Sequence, residues 1–553
     1  MNTGIKMQSF LRSNGHHLRL CNSLLLILLN MAILLVVLLS ILLYLSPTSA
    51  QYSEPHPNPA RPCSAVQLPT IQGAKILSVS RTEKPAFTIP STPSPISVPA
   101  ICEILINLTH SGVHDNVKVQ VWLPLKNWNT RFVAAGGSAW AAGLGAADIG
   151  PFVAKGFAAA STDAGLGSDF TSPASWALKD GKVNLGLLEN FAARSVKDLA
   201  ILGAGATQSF YGKKAKRYWN GCSTGGRQGL VAAQRYPELF DGILAGAPAI
   251  YWPTYVVAEL WPQIVMKEEG LFPSLDELNA VAAKAVQACD TKDGVRDGVI
   301  TEPEKCDFDP LSVVGKVKVG EKEVEITTKV ANIVKKIWDG PRVHGQQFWY
   351  GLPIGSPFDY LAKTDDNNGT RVGSPFFIPD TWIRYFLKKE PSFNVSNIDT
   401  RNLKDLFWDS QEEYNDLLNN GEPDLSALKH TGGKLIVWHG GADQLIFPQG
   451  TTKYRKNVEK TMGGGAKVDK FFRYFTAPGA DHCGLGTTPG AAPTNAFEAL
   501  IAWVENGSAP EALEGKSPPN APAQFTRKIC KYPLVARYKG RGDVNSLESF
   551  ACK

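Results

Sequence analysis

The chain has 553 residues, of which 44% are hydrophobic and 10% aromatic, so it can bury the core of one large domain that carries an insertion. Of the 57 basic residues, three lie in residues 1–50, which hold no acidic residue, so the remainder sets 54 basic against 51 acidic side chains. This near balance, with no Lys/Arg-rich run, argues against nucleic acid as a partner.

The N-terminal segment predicts export from the cytosol. Leu24–Leu45 is an uncharged apolar run that is long enough to span a bilayer as a helix, and basic residues precede it. Pro47–Ala50 resembles a small-residue cleavage site for a signal peptide. Residues 1–50 are therefore interpreted as either a cleaved signal peptide or a single-helix signal anchor. In both cases the rest of the protein is secreted or held outside the cell membrane.

The cysteine content agrees with an oxidising compartment. Of nine cysteines, Cys21 lies in the N-terminal segment, which leaves an even number of eight in the body of the chain. None of them shows the paired short spacing of a zinc site.

From about residue 100, short apolar runs alternate with helical stretches. Val117–Leu123, Arg131–Ala135 and Gly156–Thr162 are predicted strands, and Asn190–Phe210 has apolar residues at helical spacing. This alternation is typical of an α/β fold with a mainly parallel sheet covered on both faces.

The segment from 217 to 250 predicts one βαβ unit. Tyr218–Asn220 ends a strand, Gly221–Gly226 forms a tight turn, Arg227–Phe240 is a helix, and Gly242–Ala249 is the next buried strand.

A further strand of this kind, Lys434–Trp438, follows almost 200 residues later. The residues between these two strands are therefore predicted to be an insertion, 251–430, that forms a lid over a core made of 51–250 and 431–553. Nine aromatic residues of this insertion are candidates for stacking on a ligand, although most are expected to be lid core. They are Trp338, Phe348, Trp349, Tyr350, Phe376, Phe377, Trp382, Tyr385 and Phe386.

A candidate catalytic triad follows from motif and order. Gly221–Gly225 reads GCSTG and satisfies the G-x-S-x-G nucleophile elbow, with Ser223 as the nucleophile and a glycine-rich structural turn as the alternative. The partners should follow as an acid and then a histidine, each after a later strand. Asp443 and His482 meet that condition. Asp443 as a turn carboxylate, and His439 as a competing base, are the alternatives.

Two cysteines abut the triad candidates. Cys222 precedes Ser223, and Cys483 follows His482. A disulfide between them would hold their Cα atoms within roughly 4.4–6.8 Å and so tether the nucleophile to the base. The alternative is that each cysteine pairs elsewhere or stays buried.

These motifs, GCSTGGRQGL at 221–230, HGGADQLIFPQGT at 439–451 and ADHCGLG at 480–486, resemble the tannase and feruloyl esterase family. Mono(2-hydroxyethyl) terephthalate hydrolase is a related enzyme. The resemblance covers essentially the whole chain after residue 60 and implies an α/β-hydrolase fold with a large inserted lid domain. The implied activity is a serine carboxylic-ester hydrolase that cleaves hydroxycinnamic or gallic acid esters through an acyl-enzyme. The ester is expected to be a small molecule or to be attached to plant polysaccharide or polyphenol.

Two other functions are compatible with the same residues. One is a serine peptidase on the same fold, and the other is a non-catalytic lidded binding protein, against which the intact triad argues. If the triad is catalytic, the oxyanion donors are expected to be the Thr224 N–H and an N–H of the glycine-rich segment Ala135–Ala139, with Gly137 taken as the second donor.

A carboxylate-rich loop lies in the insertion. Asp290, Asp293 and Asp297 supply hard oxygen ligands at a spacing that suits Ca²⁺ but is not that of an EF-hand. The family resemblance implies a structural calcium held by these carboxylates and by the carbonyls of Val295 and Val299. An ordinary solvated acidic turn is the alternative. By the same resemblance, disulfides are expected for the pairs Cys289–Cys306, Cys530–Cys552 and Cys63–Cys102.

Overall fold

A nine-stranded mixed sheet organises residues 59–91 and 94–553, the part of the chain that the computed structural model describes. In chain order its strands are β1 (Ala74–Lys84), β2 (Ile101–His110), β3 (Val117–Pro124), β4 (Arg131–Ala135), β5 (Ala158–Thr162), β6 (Lys216–Cys222), β7 (Gly242–Gly246), β8 (Lys434–Gly440) and β9 (Phe472–Ala477). Their order across the sheet is β1-β2-β3-β5-β4-β6-β7-β8-β9. Pairing is antiparallel from β1 to β5 and parallel from β5 to β9.

Helices cover both faces of this sheet. The longer ones are α1 (Ala146–Ala154), α2 (Ser195–Tyr211), α3 (Thr224–Arg235), α4 (Trp252–Ala258), α5 (Trp261–Glu269), α6 (Leu275–Cys289), α7 (Thr328–Asp339), α8 (Thr400–Leu418), α9 (Pro448–Met462) and α10 (Ala496–Asn506). Shorter helical segments are Leu185–Glu189, Asn190–Arg194, Phe377–Thr381, Trp382–Leu387, Ser426–Thr431 and Gly465–Val468. Because both faces are covered, β5 and β7 are buried along their whole length.

Several small antiparallel sheets lie outside the nine-stranded sheet. Their paired strands are Phe87–Ile89 with Ile96–Val98, Leu178–Lys179 with Lys182–Val183, Gly315–Val319 with Lys322–Ile326, Arg342–Val343 with Gln346–Gln347, Thr364–Asn367 with Thr370–Gly373, and Ala536–Tyr538 with Phe550–Cys552. A three-stranded sheet joins Ala492–Pro493, Ala512–Lys516 and Thr526–Cys530.

The α/β class is confirmed, and the predicted strands fall where expected. The helix predicted over Arg227–Phe240 differs at both ends. It begins at Thr224, directly on the turn, and ends at Arg235, because the residue before Pro237 is disfavoured in helical conformation. The helix predicted over Asn190–Phe210 begins with a π-helical turn at Asn190–Arg194 and continues as the α-helix Ser195–Tyr211.

Residues 251–430 lie between β7 and β8, where the insertion was predicted, and contain α4 to α8. Their aromatic side chains pack against the loop that follows β4. Trp140 from that loop contacts Trp252, Trp382 and Phe386 at ring-centroid distances of 5.2, 6.3 and 5.4 Å. The insertion therefore packs on the side of the sheet where the strand-to-helix turns lie.

All four expected disulfides are present. They are Cys63–Cys102, Cys222–Cys483, Cys289–Cys306 and Cys530–Cys552. The predicted signal peptide or anchor lies outside the described residues. Within the described ranges, no helix has both the length and the apolar character needed to cross a membrane.

Candidate active site

Ser223 sits on the sharp turn between β6 and α3. Its backbone has φ 63° and ψ −122°, a conformation that costs a non-glycine residue roughly 1–3 kcal/mol. The Ser223 N–H donates to Gly246 O at 3.0 Å, and Ser223 O accepts from the N–H groups of Arg227 and Ala249. These bonds hold the turn in the strand–turn–helix arrangement of a nucleophile elbow.

Crowding explains the glycines of this turn. A Cβ on Gly221 would lie 2.6 Å from backbone atoms of Gly225, and one on Gly226 would lie 2.2 Å from Gly246 O. Both distances are far inside van der Waals contact. A larger residue at either position would push α3 away from the sheet and displace Ser223.

Asp443 and His482 form a hydrogen-bonded pair at the ends of β8 and β9. His482 Nδ1 lies 2.8 Å from Asp443 Oδ2, while Asp443 Oδ1 accepts from the N–H groups of Leu445 and Ile446 at 2.9 and 2.8 Å. Burial disfavours the charged carboxylate, but charge interactions and hydrogen bonds with His482 and His439 outweigh it and lower the pKa of Asp443. Asp443 is therefore ionised, and His482 presents Nε2 as the free ring nitrogen.

His439 is the second partner of Asp443 and is fully buried. Its Nε2 lies 3.1 Å from Asp443 Oδ2 and 2.8 Å from Ile446 O, and its Nδ1 lies 2.9 Å from Thr451 Oγ1. Because a carbonyl oxygen can only accept, Nε2 carries a hydrogen and donates it, while Nδ1 forms a hydrogen bond with the Thr451 hydroxyl. Both ring nitrogens are thus used within the protein.

The disulfide Cys222–Cys483, with Cα atoms 6.0 Å apart, joins the residues next to Ser223 and His482. Both triad candidates line one cavity of about 420 Å³, which we call the central cavity. Within the described part of the chain Ser223 Oγ makes no hydrogen bond, and His482 Nε2 lies 3.6 Å from Cys483 Sγ. Such looseness is common before substrate binds.

Two positioning residues had no counterpart in the sequence expectations. Gln444 Oε1 accepts the His482 N–H at 3.0 Å, and the Asp481 carboxylate accepts the N–H groups of Gly486 and Thr487 at 3.1 and 2.5 Å. Both are buried. They fix the loop that carries the histidine.

The oxyanion expectation needs a correction at its second donor. The Thr224 N–H makes no hydrogen bond within the described ranges, as an oxyanion donor requires. The Gly137 N–H, however, donates to Gln228 Oε1 at 2.9 Å, so it already has a buried partner. In the same loop the Ala139 N–H has no partner among the described residues, and Thr224 Oγ1 donates to Ala139 O at 2.6 Å. Ala139 replaces Gly137 as the candidate.

The central cavity has an aromatic wall and an apolar rim. Its aromatic lining residues are Phe170, Trp252, Tyr255, Tyr360, Phe376 and Phe377. Of the nine aromatic candidates from the insertion, only Phe376 and Phe377 line it. Of the other seven, four are buried in the core (Trp349, Trp382, Tyr385 and Phe386), and three are partly buried against it (Trp338, Phe348 and Tyr350). At the rim, Phe170 is 48% and Leu485 is 56% exposed. A volume near 420 Å³ suits a small aromatic ligand.

Two acidic residues also line the central cavity, and sequence reasoning missed both. Burial raises the pKa of Asp148 to about 6, against hydrogen bonds from the Leu144 N–H and the Ser161 hydroxyl. Burial, followed by the charge of Asp443, raises the pKa of Glu259 well above its usual value. The sequence could have pointed to Glu259, because it is the one charged residue between 242 and 266.

The predicted calcium loop is folded against the C-terminal strands. Asp290 and Asp293 are buried, and Asp297 pairs with Arg527 at 2.5 Å. Burial, with repulsion from neighbouring aspartates, raises the pKa of Asp293 and brings that of Asp297 to about 6. Arg527 is the opposing positive charge that acts on both Asp293 and Asp297.

The donor set of this loop suits calcium. The carbonyl oxygens of Val295 and Val299, both buried, accept no hydrogen bond within the described ranges. The carboxylates instead accept N–H groups of their own loop, such as Asp297 N–H to Asp290 Oδ1 at 3.1 Å. Accordingly, nowhere in 59–91 and 94–553 are three or more His, Cys, Asp or Glu side chains already arranged around a metal-sized space. Calcium stays a prediction.

Comparisons with known proteins identify the family of the chain. Residues 102–553 match the sequence model of the family described as "Tannase and feruloyl esterase". The chain is 46% identical over 532 residues to a probable feruloyl esterase of Arthroderma benhamiae, covering 94% of this chain and 98% of that protein. It is 27% identical over 469 residues to feruloyl esterase B of Aspergillus niger, covering 82% of this chain and 86% of that protein.

Among solved structures, the tannin acyl hydrolase from Aspergillus niger superposes with a TM-score of 0.79 at 25% identity, covering 88% of this chain and 93% of that one. An esterase from Aspergillus oryzae superposes with a TM-score of 0.72 at 26% identity, covering 88% and 97%.

Proposed function

The chain belongs to the tannase and feruloyl esterase family and is a carboxylic ester hydrolase that acts on esters of aromatic acids; from this premise we propose that Ser223, His482 and Asp443 perform the hydrolysis through an acyl-enzyme. The observation that carries the proposal is the meeting of three separate chain segments at one cavity. Ser223 and His482 line it, and Asp443 Oδ2 lies 2.8 Å from His482 Nδ1.

The first step is attack of Ser223 Oγ on the ester carbonyl carbon. His482 Nε2 takes the hydroxyl proton, and the ionised Asp443 stabilises the imidazolium that forms. In this proposal Ser223 Oγ and His482 Nε2 come within hydrogen-bond range when the ester binds. The alcohol then leaves with the proton from His482, and water, activated by the same nitrogen, releases the acid.

The developing negative charge is held by backbone N–H groups. Thr224 N–H lies at the first residue of α3, where the helix dipole also favours an anion. Ala139 N–H is the second donor in this proposal. Gln228 supports the loop that carries it, because its side chain binds the Gly137 N–H at 2.9 Å and Ala142 O at 3.0 Å.

The substrate in this proposal is a hydroxycinnamic or gallic acid ester, either as a small molecule or attached to plant polysaccharide or polyphenol. The aromatic wall of the central cavity supports an aromatic acyl group, and the exposed Phe170 and Leu485 at its rim support a substrate that extends outward. An extracellular site of action accords with the four disulfides.

A structural calcium is the cofactor in this proposal. Asp290, Asp293 and Asp297, with the carbonyls of Val295 and Val299, would hold it, and its charge would relieve the repulsion among the carboxylates. The test is thermal unfolding with and without EDTA. A fall in Tm that added calcium restores, and that is absent in Asp293→Asn, supports the site; an unchanged Tm contradicts it.

The test of the catalytic proposal compares wild type with Ser223→Ala on methyl ferulate, methyl gallate, chlorogenate and an amide of ferulic acid. We expect ester turnover by wild type, no amide turnover, and a loss of at least about 10⁴-fold in kcat for the variant. Wild-type turnover that survives Ser223→Ala would show that another group is the nucleophile.

A further inference from the structure

Three residues on one face of α4 line the central cavity, and each carries a polar atom in its side chain. Trp252, Tyr255 and Glu259 are spaced at i, i+3 and i+7, and the Glu259 N–H donates to Tyr255 O at 2.9 Å, so the helical path continues to Glu259. Their exposed fractions are 1%, 3% and 2%. They therefore form the buried inner wall of the cavity, whereas Phe170 and Leu485 form its exposed rim.

Two atoms on this face are buried polar groups with no hydrogen-bond partner in the described residues. They are the donor Trp252 Nε1 and the acceptor Glu259 Oε2. A buried polar group without a partner destabilises the fold, and native proteins leave few such groups unsatisfied. Asp148, the other acid at the cavity, differs because it accepts the Leu144 N–H and Ser161 hydroxyl bonds. The fold satisfies Asp148 internally and leaves Glu259 for something else.

We propose that this face of α4 binds a phenolic hydroxyl of the substrate's aromatic acyl group, with Glu259 and Trp252 Nε1 as its hydrogen-bond partners. A phenol hydroxyl both donates and accepts one hydrogen, and the pair supplies one acceptor and one donor. The proposal rests on the proposed function, since it requires an aromatic ester in the central cavity. It makes Glu259 a specificity-determining residue.

The protonation state of Glu259 is compatible with this role. Burial and the nearby charge of Asp443 keep the carboxyl neutral at higher pH than usual. A neutral carboxyl group can accept through its carbonyl oxygen or donate through its hydroxyl, so the site tolerates either orientation of the phenol. A second negative charge beside Asp443 is avoided.

The test uses two pairs of esters that differ only in ring hydroxyl groups: methyl 4-hydroxycinnamate with methyl cinnamate, and methyl gallate with methyl benzoate. kcat/KM is measured for the purified wild type, Glu259→Leu, Glu259→Gln and Trp252→Phe. Glu259→Leu should lose about 100-fold on the hydroxylated member of the preferred pair and about 3-fold or less on its partner, because the lost hydrogen bond matters only there. Glu259→Gln should lose about tenfold or less on the hydroxylated ester.

Each result either supports or overturns the role of Glu259. An equal loss on both members of a pair shows a structural role for Glu259 and overturns the inference. Should Glu259→Leu not fold, a selective loss in Trp252→Phe supports the inference, and an unselective one overturns it. If the wild type cleaves p-nitrophenyl acetate but no aromatic ester, both the proposed function and this inference are overturned. If the wild type cleaves both members of each pair equally well, this inference is overturned and the proposed function stands.

Discussion

Asp443 accepts hydrogen bonds from His482 at 2.8 Å and from His439 at 3.1 Å, but the two rings face different surroundings. His482 lines the central cavity, whereas both ring nitrogens of His439 form hydrogen bonds with other protein groups. We predict that His482→Asn lowers kcat by about 10⁴-fold or more. His439→Asn should lower kcat by only about tenfold, with a loss of thermal stability.

The measurement is kcat on methyl ferulate together with Tm for each variant, with wild type in the same buffer. Equal losses of kcat in the two variants, with both proteins folded, would mean that His439 also transfers protons. That result would overturn the assignment of His482 as the base.

At this scale the sequence was informative where chemistry requires a fixed order of residues. Ser223, Asp443 and His482 could be named as a candidate triad because the elbow motif and the order of its partners can be read directly from the sequence. Glu259 and Gln228 could not, because their roles depend on which polar atoms find partners. Gln228, for example, binds Gly137 and Ala142, which lie about 90 residues earlier in the chain, only after folding.

At the scale of elements, the loop between β9 and His482 contacts the carboxylate-rich loop 290–299. A Cβ on Gly479 would lie 2.6 Å from Val299 Cγ1, and Gly479 has φ +62°. We predict that Gly479→Ala shifts this loop and lowers kcat by about tenfold or more, because small displacements of a catalytic group are costly. Gly507→Ala is the matched control, since Gly507 has φ +72° and nothing within 4 Å of its Cβ position.

Both substitutions place alanine at a positive φ, so both should lower stability by about 1 kcal/mol. Only the first should affect kcat on methyl ferulate. If Gly507→Ala lowers kcat as much as Gly479→Ala does, the effect belongs to general destabilisation and the loop contact is not responsible.

His110, at the end of β2, links that strand to α2. Its Nδ1 lies 2.6 Å from Asp115 Oδ2 and its Nε2 lies 2.9 Å from Asp198 Oδ2. Burial opposes protonation, but the hydrogen bonds and charges of Asp198 and Asp115 outweigh it and raise the pKa of His110 above 6.5. The folded state therefore binds this proton more tightly than the unfolded state, which favours folding at low pH.

We predict that the stabilisation from His110 is full below about pH 6.5 and is lost as the pH rises through the raised pKa. The check is the urea midpoint of wild type and His110→Gln at pH 5.5 and pH 8.5. The difference between the two proteins should be larger at pH 5.5. A difference that is equal or larger at pH 8.5 would mean that the histidine is neutral in the fold.

Elements were predictable where burial leaves a continuous apolar run. β4, β7 and β8 were found for that reason. β1 was missed because it is the edge strand, with mixed burial and charged residues along Ala74–Lys84. The π-helical turn at Asn190–Arg194 was also missed. It follows from tertiary contacts, since Arg227 donates to the carbonyls of Phe191 and Ala192.

For the whole molecule, the disulfide Cys222–Cys483 joins segments separated by 261 residues, on either side of the insertion. Closing so long a loop restricts the unfolded chain and contributes about 5 kcal/mol in the loop-entropy account. Because the bonded cysteines are the neighbours of Ser223 and His482, the same bond fixes the proposed nucleophile relative to the proposed base. Stability and catalysis are therefore coupled at this one link.

We predict that Cys222→Ser with Cys483→Ser lowers both Tm and kcat, the latter by about tenfold or more. Cys63→Ser with Cys102→Ser is the control, because that disulfide joins a turn just before β1 to β2 and has no residue at the central cavity. The control should lower Tm and leave kcat near the wild-type value when it is assayed well below its own Tm. If the Cys222/Cys483 variant retains full kcat at such a temperature, packing of the two loops suffices to place Ser223 beside His482. The disulfide would then contribute only to stability.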